Sequence, residues 1–410
     1  MSLDPSARLR DRDVPPALEG RLRVYPRLIL FANVVLTLVM AVLYRQGIWR
    51  PCLYCDFLAF YTAAEVAADS GVAAAYDDAV MKPLQWSYAL LPDAETWVPY
   101  FYPPPYMFAI FWLPALPIYL AATVFVAATF ALFLVAVRPM LSDRDDLIVV
   151  LAAPVVWLNA WDGQNAFFTV ALAVFACRWL MLRPVRAGLA LALMTLKPHL
   201  GLLWPVVLVM KGRWRAIAVA LLGALGLGAA SVAVYGTEAW QGFAARGLSN
   251  VHATLSMGTL PISLVSSPYA WLILLGVPDR IAMGAHVLVA LAACGVLVQL
   301  LRIGTPYRFA MAYLFTATLF VTPHNFTYDW MFVLIGLLIV WKQARLTGFL
   351  PYELAGLALG YVAPFFLQTL RHADLPVAAP ALLLVIVTVA RRAFHEARRA
   401  RHSGTAPPPG

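Results

Sequence analysis

Long apolar runs, broken by short basic, aromatic or proline-rich interruptions, dominate this chain. Stretches of roughly 20 apolar residues are long enough to cross a bilayer as helices. They predict spans near residues 28–44, 118–137, 147–160, 166–182, 216–235, 281–301, 309–321, 330–341, 350–370 and 377–389. With the shorter apolar pieces between them, the pattern predicts an all-α, polytopic integral membrane protein of about 12 transmembrane helices.

The interruptions carry the information. After the first span comes a long loop that opens at Cys55-Asp56. Residues 57–68 have a helical period, with apolar and aromatic side chains on one side and Glu65 and Asp69 on the other. That pattern predicts a helix lying on the membrane surface. The loop closes on Tyr102-Pro-Pro-Pro-Tyr106, whose prolines predict a stiff, extended segment that turns the chain back to the membrane. A further interfacial helix is expected at 106–116. A tight turn follows at 161–165, holding Gln164 and Asn165, and a compact polar turn at 322–329 holds His324, Asn325 and Asp329. A second outer loop, 236–267, carries Trp240, Arg246, Asn250 and His252.

The stretch 187–210 is basic at both ends, with Arg183 and Arg186 before it and Lys211, Arg213 and Arg215 after it. A single crossing would put one basic cluster on each side of the membrane, against the positive-inside rule. Two short helices meeting at Lys197-Pro-His199 keep both clusters on one side. Each arm then reaches only about 15–18 Å, which leaves Lys197 and His199 at membrane depth. Charge and irregular backbone there are expected only where they line a cavity.

Composition agrees. Of 410 residues, 62% are hydrophobic and only 12% charged, against about 25% charged in soluble domains; the mean hydropathy is +0.77. The formal charge of +9 is therefore a topology signal and implies no nucleic-acid partner. With both termini in the cytoplasm, most Lys and Arg fall on the cytoplasmic side, which fixes the orientation. The expected organisation is an N-terminal tail at 1–27, a transmembrane body at 28–390 and a solvated, lipid-facing basic tail at 391–410. No cleavable signal peptide is expected, because the first apolar run lacks a small-residue cleavage site. Cys177 and Cys294 read as packing residues. Cys52 and Cys55 form a CxxC on the outer side, which admits a disulfide but lacks the second ligand pair of a zinc site.

On the outer face the polar interruptions converge into a chemistry. A carboxylate such as Asp56 can take a proton from an acceptor hydroxyl. A buried Lys197, with His199 or His324, can hold a phosphate and stabilise the charge it gains on leaving. Tyr61, Tyr102 and Trp161 can stack on a sugar ring, and Gln164, Asn165, Asn325 and Asp329 add polar contacts. The plainer alternatives are that Asp56 caps the helix behind it, Lys197 snorkels to the interface, His199 packs against a carbonyl and Asp329 caps the next span. No nucleotide-binding fingerprint is present, so neither cofactor nor metal is expected, and a lipid-linked sugar donor is itself a substrate.

The runs DFLAFYTAAEVAADSGVAAAYD from Asp56, YPPPY from Tyr102, GQN from Gly163, AGLALALMTLKPHLGLLWPVVLVMKGRWRA from Ala187 and TPHNFTYDW from Thr322 resemble, in this order, glycosyltransferase family 87. The resemblance implies a GT-C fold and a polyprenyl-phosphate sugar as donor. Family members include bacterial polyprenol-phosphate-mannose-dependent α-mannosyltransferases and an arabinofuranosyltransferase. It also implies that Asp56 is the catalytic base of an inverting transfer, that His324 sits in the active site near it, and that Lys197 binds phosphate. The expectation is a bacterial inner-membrane mannosyltransferase whose active site faces the periplasm. Its partners would be the lipid donor, a glycolipid or glycan acceptor and membrane lipids. The rival readings are a pentosyl (arabinofuranosyl) transferase and a transporter or flippase for lipid-linked sugars. A flippase fits less well, because no internal repeat is evident.

Overall fold

The computed structural model describes residues 16–46, 54–88, 90–91, 97–247, 261–370 and 373–402. The fold is all-helical, 82% helix with no strand among the described residues. Among the described residues six helices are long and apolar enough to cross a membrane: Glu19–Arg45, Ile118–Met140, Trp214–Arg246, Asp279–Arg302, Thr327–Thr347 and Ala378–His402. The expected dozen spans include shorter pieces, such as Ala166–Trp179, Pro184–Met194 and Tyr307–Val321, that do not qualify by length.

The chain opens with α1 (Pro16–Arg45), most of it exposed. Next come α2 (Cys55–Ser70), α3 (Asp78–Ser87) and the single turn α4 (Met107–Ile110). The bundle begins with α5 (Ile118–Val137), α6 (Arg144–Ala152), α7 (Pro154–Asp162) and α8 (Ala166–Trp179). It continues through α9 (Pro184–Met194), α10 (Trp204–Met210) and α11 (Trp214–Gly242). The rest is α12 (Pro268–Leu274), α13 (Asp279–Arg302), α14 (Tyr307–Val321), α15 (Met331–Thr347), α16 (Glu353–Thr369) and α17 (Ala378–His402). In the bundle α8 packs between α5 and α9, α9 lies along α11, and α14 is enclosed by α13, α15 and α17.

Four expectations change. The stretch expected to span at 147–160 is two helices, because Pro154 cannot continue α6 and Ala153 takes an extended conformation (φ −60°, ψ 124°). Helix α2 is no one-sided surface helix: Phe57, Leu58, Ala59, Phe60, Tyr61, Thr62, Ala63 and Ala64 are all buried. On its polar side Glu65 is half-buried and accepts a hydrogen bond from the Tyr88 hydroxyl at 2.7 Å, while Asp69 is exposed. The proline run is extended only as far as Pro103, and Pro104–Tyr106 closes into a 3-10 turn. The expected basic tail at 391–410 instead continues α17 to His402, with Arg392 fully buried. Arg392 can leave water because Glu353 and Glu396 neutralise it there.

The expected break in 187–210 is present. Pro198 stops the helical ladder, Lys197 is non-helical (φ −137°, ψ 72°), and Pro198–Gly201 forms a 3-10 turn between α9 and α10. In the stretch 236–267, expected as a loop, Trp240 lies in α11 and Arg246 in the π-helical turn Phe243–Gly247, where it pairs with Asp77 at 2.6 Å. Asn250 and His252 lie outside the described residues. So does Cys52; Cys55 is disulfide-bonded.

Two hydrophobic clusters make up most of the core. The larger unites α8, α14, α15 and α17 with their neighbours. The smaller joins α2 to Tyr76, Trp97, Tyr100, Tyr106, Ile110 and Phe125, and it includes Leu196, the residue before Lys197. Phe168 and Val126 touch both.

Candidate functional site

Asp56 is placed by an unusual helix start. Tyr54, ahead of α2, sits in the left-handed region at φ 61°, and its N–H donates to the Trp161 carbonyl at 2.7 Å. Gly163 turns the facing chain at φ 68°, and a Cβ there would stand 2.6 Å from the Phe57 Cβ. Only glycine meets both requirements. The two turns thereby lie side by side, and Gln164 donates from Nε2 to Asp56 Oδ2 at 2.8 Å. Asp56 does not cap α2, since Cys55 already belongs to the helix. It lies in the first turn, where the helix dipole favours a negative charge.

Next to this pair stands a stack of aromatic rings. Tyr102 and Tyr106 are parallel at 4.3 Å between centroids, and Phe60 lies against both at 5.2 and 5.5 Å. Asn165 donates from Nδ2 to the Tyr106 hydroxyl at 2.9 Å. Its carbonyl oxygen and the Tyr100 hydroxyl are buried with no hydrogen-bond partner.

The third group joins the 187–210 break to the 322–329 turn. Lys197 donates from Nζ to Asp329 Oδ1 at 2.6 Å, with the two side chains only 5% and 1% exposed. The ammonium lies 4.9 Å from the centre of the Tyr328 ring. Asp329 Oδ2 accepts from the Phe326 N–H at 3.2 Å, so the cap reading of Asp329 holds for one oxygen and the ion pair takes the other. Thr322 donates to the His199 carbonyl at 2.9 Å. His199 lies within electrostatic reach of Lys197 and His324, and His324 meets the Tyr269 ring edge-on at 5.7 Å.

Tyr102 links the groups. Burial pushes its phenol well above the ordinary range, and Tyr106 and the charges of Asp329 and Asp56 push it the same way, while Asn165 opposes them. The Tyr328 ring, against the Lys197 ammonium, belongs to the same group. Two carboxylates, a buried ammonium and two tyrosines therefore share one electrostatic neighbourhood. Carbohydrate chemistry could use all three elements: a carboxylate for a proton, aromatic faces for a ring and a cation for an anionic leaving group.

Not every expected residue joins this neighbourhood by contact. Tyr61 donates to the Leu116 carbonyl at 3.0 Å and lies against Tyr88, on the far side of α2. Trp161 donates to Thr37 at 3.1 Å. Asn325 is used by main chain throughout: its amide nitrogen donates to Leu319 and Thr322 carbonyls at 2.8 and 3.1 Å, and its oxygen accepts from Ser266 N–H at 3.2 Å. It shapes the turn that presents His324 and Asp329. Sequence reasoning missed Tyr106 and Tyr328 as candidates. The symmetry of the YPPPY run offered Tyr106 as readily as Tyr102, and Tyr328 is the immediate neighbour of Asp329.

Comparison with known families matches glycosyltransferase family 87 over residues 100–323, more than half of the chain. No curated protein and no solved structure matches it.

Proposed function

The chain belongs to glycosyltransferase family 87, and we propose that this membrane glycosyltransferase moves a hexose, mannose first among candidates, from a polyprenyl-phosphate donor to a glycolipid or glycan acceptor. The reaction takes place at the outer face of a bacterial inner membrane, on a GT-C fold of about 12 spans with both termini cytoplasmic. Asp56 removes the proton of an acceptor hydroxyl as its oxygen attacks the anomeric carbon. The bond to the phosphate oxygen breaks with inversion, so a β-linked donor gives an α-linked product. The departing lipid phosphate keeps the bonding pair, and Lys197, assisted by His324 or His199, stabilises its charge. No metal or cofactor takes part.

The observation that carries this reading is the turn Gln164-Asn165, in which Gln164 donates to Asp56 and Asn165 to Tyr106, whose ring stacks on Tyr102. It sets the carboxylate for the acceptor beside an aromatic wall, and Lys197, paired with Asp329, supplies the cation for the phosphate. The buried Asn165 oxygen and Tyr100 hydroxyl beside that wall suit sugar hydroxyls, since a buried polar group gains most from a ligand that completes its hydrogen bonds.

The test is sugar transfer by the full-length protein in proteoliposomes, with polyprenyl-phosphate mannose and a pool of lipid acceptors. Nucleotide-linked mannose serves as the comparison donor, and the new linkage is read by NMR. Transfer from the lipid donor alone with an α-linked product is expected. A β-linked product contradicts inversion. Movement of the lipid-linked sugar across the bilayer without transfer contradicts the enzyme reading and points to a flippase.

A further inference from the structure

The pairing of Lys197 with Asp329 raises a question that the proposed chemistry leaves open. A lysine meant to receive a phosphate is already bound to a carboxylate, at 2.6 Å and almost out of solvent. Asp329 itself is poorly suited to touch an anionic substrate. An ionised carboxylate only accepts hydrogen bonds, and both oxygens are engaged, one by Lys197 and one by the Phe326 N–H.

We infer that Asp329 is a positioning residue: it holds the buried Lys197 ammonium in place and aimed, so that Lys197 can receive the lipid phosphate. The inference rests on the phosphate role proposed for Lys197. Two physical points support it. A buried cation without a partner is costly, so the carboxylate offsets the cost of holding the Lys197 ammonium out of water. An ammonium also has three N–H donors. One goes to Asp329, and the Tyr328 ring at 4.9 Å flanks another side, an arrangement that fixes the direction in which donor capacity remains. Because the second oxygen of Asp329 holds the 3-10 turn Thr327–Trp330, the aim of Lys197 is set by α15 as well as by its own hairpin.

The test titrates the full-length protein in detergent with a short-chain polyprenyl monophosphate and, in parallel, with the matching polyprenol, following tryptophan fluorescence. Wild type, Lys197→Met, Asp329→Asn, the double variant and Asp329→Glu are compared, with a melting temperature for each. Wild type should prefer the phosphate, and Lys197→Met should lose that preference. Asp329→Asn should weaken phosphate binding about tenfold or more and leave polyprenol binding unchanged. In the Lys197→Met background, Asp329→Asn should cost nothing further, and Asp329→Glu should recover much of the preference.

Three results overturn the inference while leaving the phosphate role of Lys197 intact. In the first, Asp329→Asn binds phosphate more tightly, so the carboxylate merely masks the cation. In the second, it weakens binding equally with and without Lys197. In the third, it weakens phosphate and polyprenol alike. Should Asp329→Asn not fold, Asp329→Glu decides: a retained phosphate preference supports the inference, and its loss in a folded protein overturns it. If Lys197→Met keeps the full preference, the phosphate role itself fails and the inference falls with it.

Discussion

Two buried cations stand at different places in this molecule, and they are treated differently. Arg392, in α17, has all five guanidinium N–H groups occupied. They donate to Glu353 at 2.7 Å through Nε, to Thr347 and Glu396 at 3.1 Å through Nη1, and to the Gly348 carbonyl at 2.8 Å and Glu353 again through Nη2. Its carboxylate partners are held in turn: Gln343 donates to Glu396 at 3.2 Å, and the Leu350 N–H to Glu353 at 2.9 Å. Lys197 has one carboxylate and one aromatic face. A charge whose every donor is satisfied within the protein holds helices together. A charge left with donor capacity, paired with a single carboxylate beside the Tyr328 ring, is equipped to receive something.

The comparison is broken most forcefully at Arg392. Replacing Arg392 with Met leaves Glu353 and Glu396 buried without their cation, and about 3–5 kcal/mol of stability should be lost, measured by chemical denaturation in detergent. The fraction that folds should retain the wild-type turnover number. A stable but inactive Arg392→Met would erase the distinction between the two cations.

A smaller loss is expected at Gly163. An alanine there is strained by about 1–3 kcal/mol at a positive φ and collides with Phe57. Because the Gly163 turn seats Gln164 against Asp56, the damage should reach chemistry too. Transfer should fall by up to about 10²-fold if Asp56 shifts by an ångström, and thermal unfolding with initial rates separates the two effects.

At Gln164, buried against Asp56, a new carboxylate should lower stability and move the pH profile. Gln164→Glu sets a second carboxylate beside Asp56, and like charge disfavours ionisation. Any proton transfer through Asp56 should then lose its ionised base at higher pH, so the acid limb of the rate profile should move upward. An unmoved limb would separate Asp56 from the rate-limiting proton transfer. The smallest effect belongs to Arg246→Ala, which removes a half-exposed pair with Asp77 and should change stability by less than about 1 kcal/mol.

Much of this architecture was legible in the sequence because a bilayer punishes irregularity. The charge rule was enough to place a break at Lys197-Pro-His199, and the structure breaks there. What the sequence hid is pairwise. Nothing in the basic run after Arg391 distinguishes Arg392 from its neighbours, because its burial depends on Glu353, which lies far away along the chain. Helix α2 read as amphipathic because Glu65 is charged, yet Tyr88 from the end of α3 takes up that charge. Asp56 and Gln164 were each candidates on their own. Their contact depends on left-handed backbone at Tyr54 and Gly163, a conformation that only the glycine hints at. Asn325 read as a ligand contact because polar turns on an outer face invite it, while its amide in fact closes the turn.

The most direct measurement is the initial rate of sugar transfer from polyprenyl-phosphate mannose by Asp56→Asn in proteoliposomes, with its melting temperature beside that of wild type. The substitution keeps the shape of the side chain and removes the base. A loss of about 10²-fold or more at an unchanged melting temperature is the predicted result. A well-folded Asp56→Asn protein that transfers sugar at the wild-type rate would contradict the account.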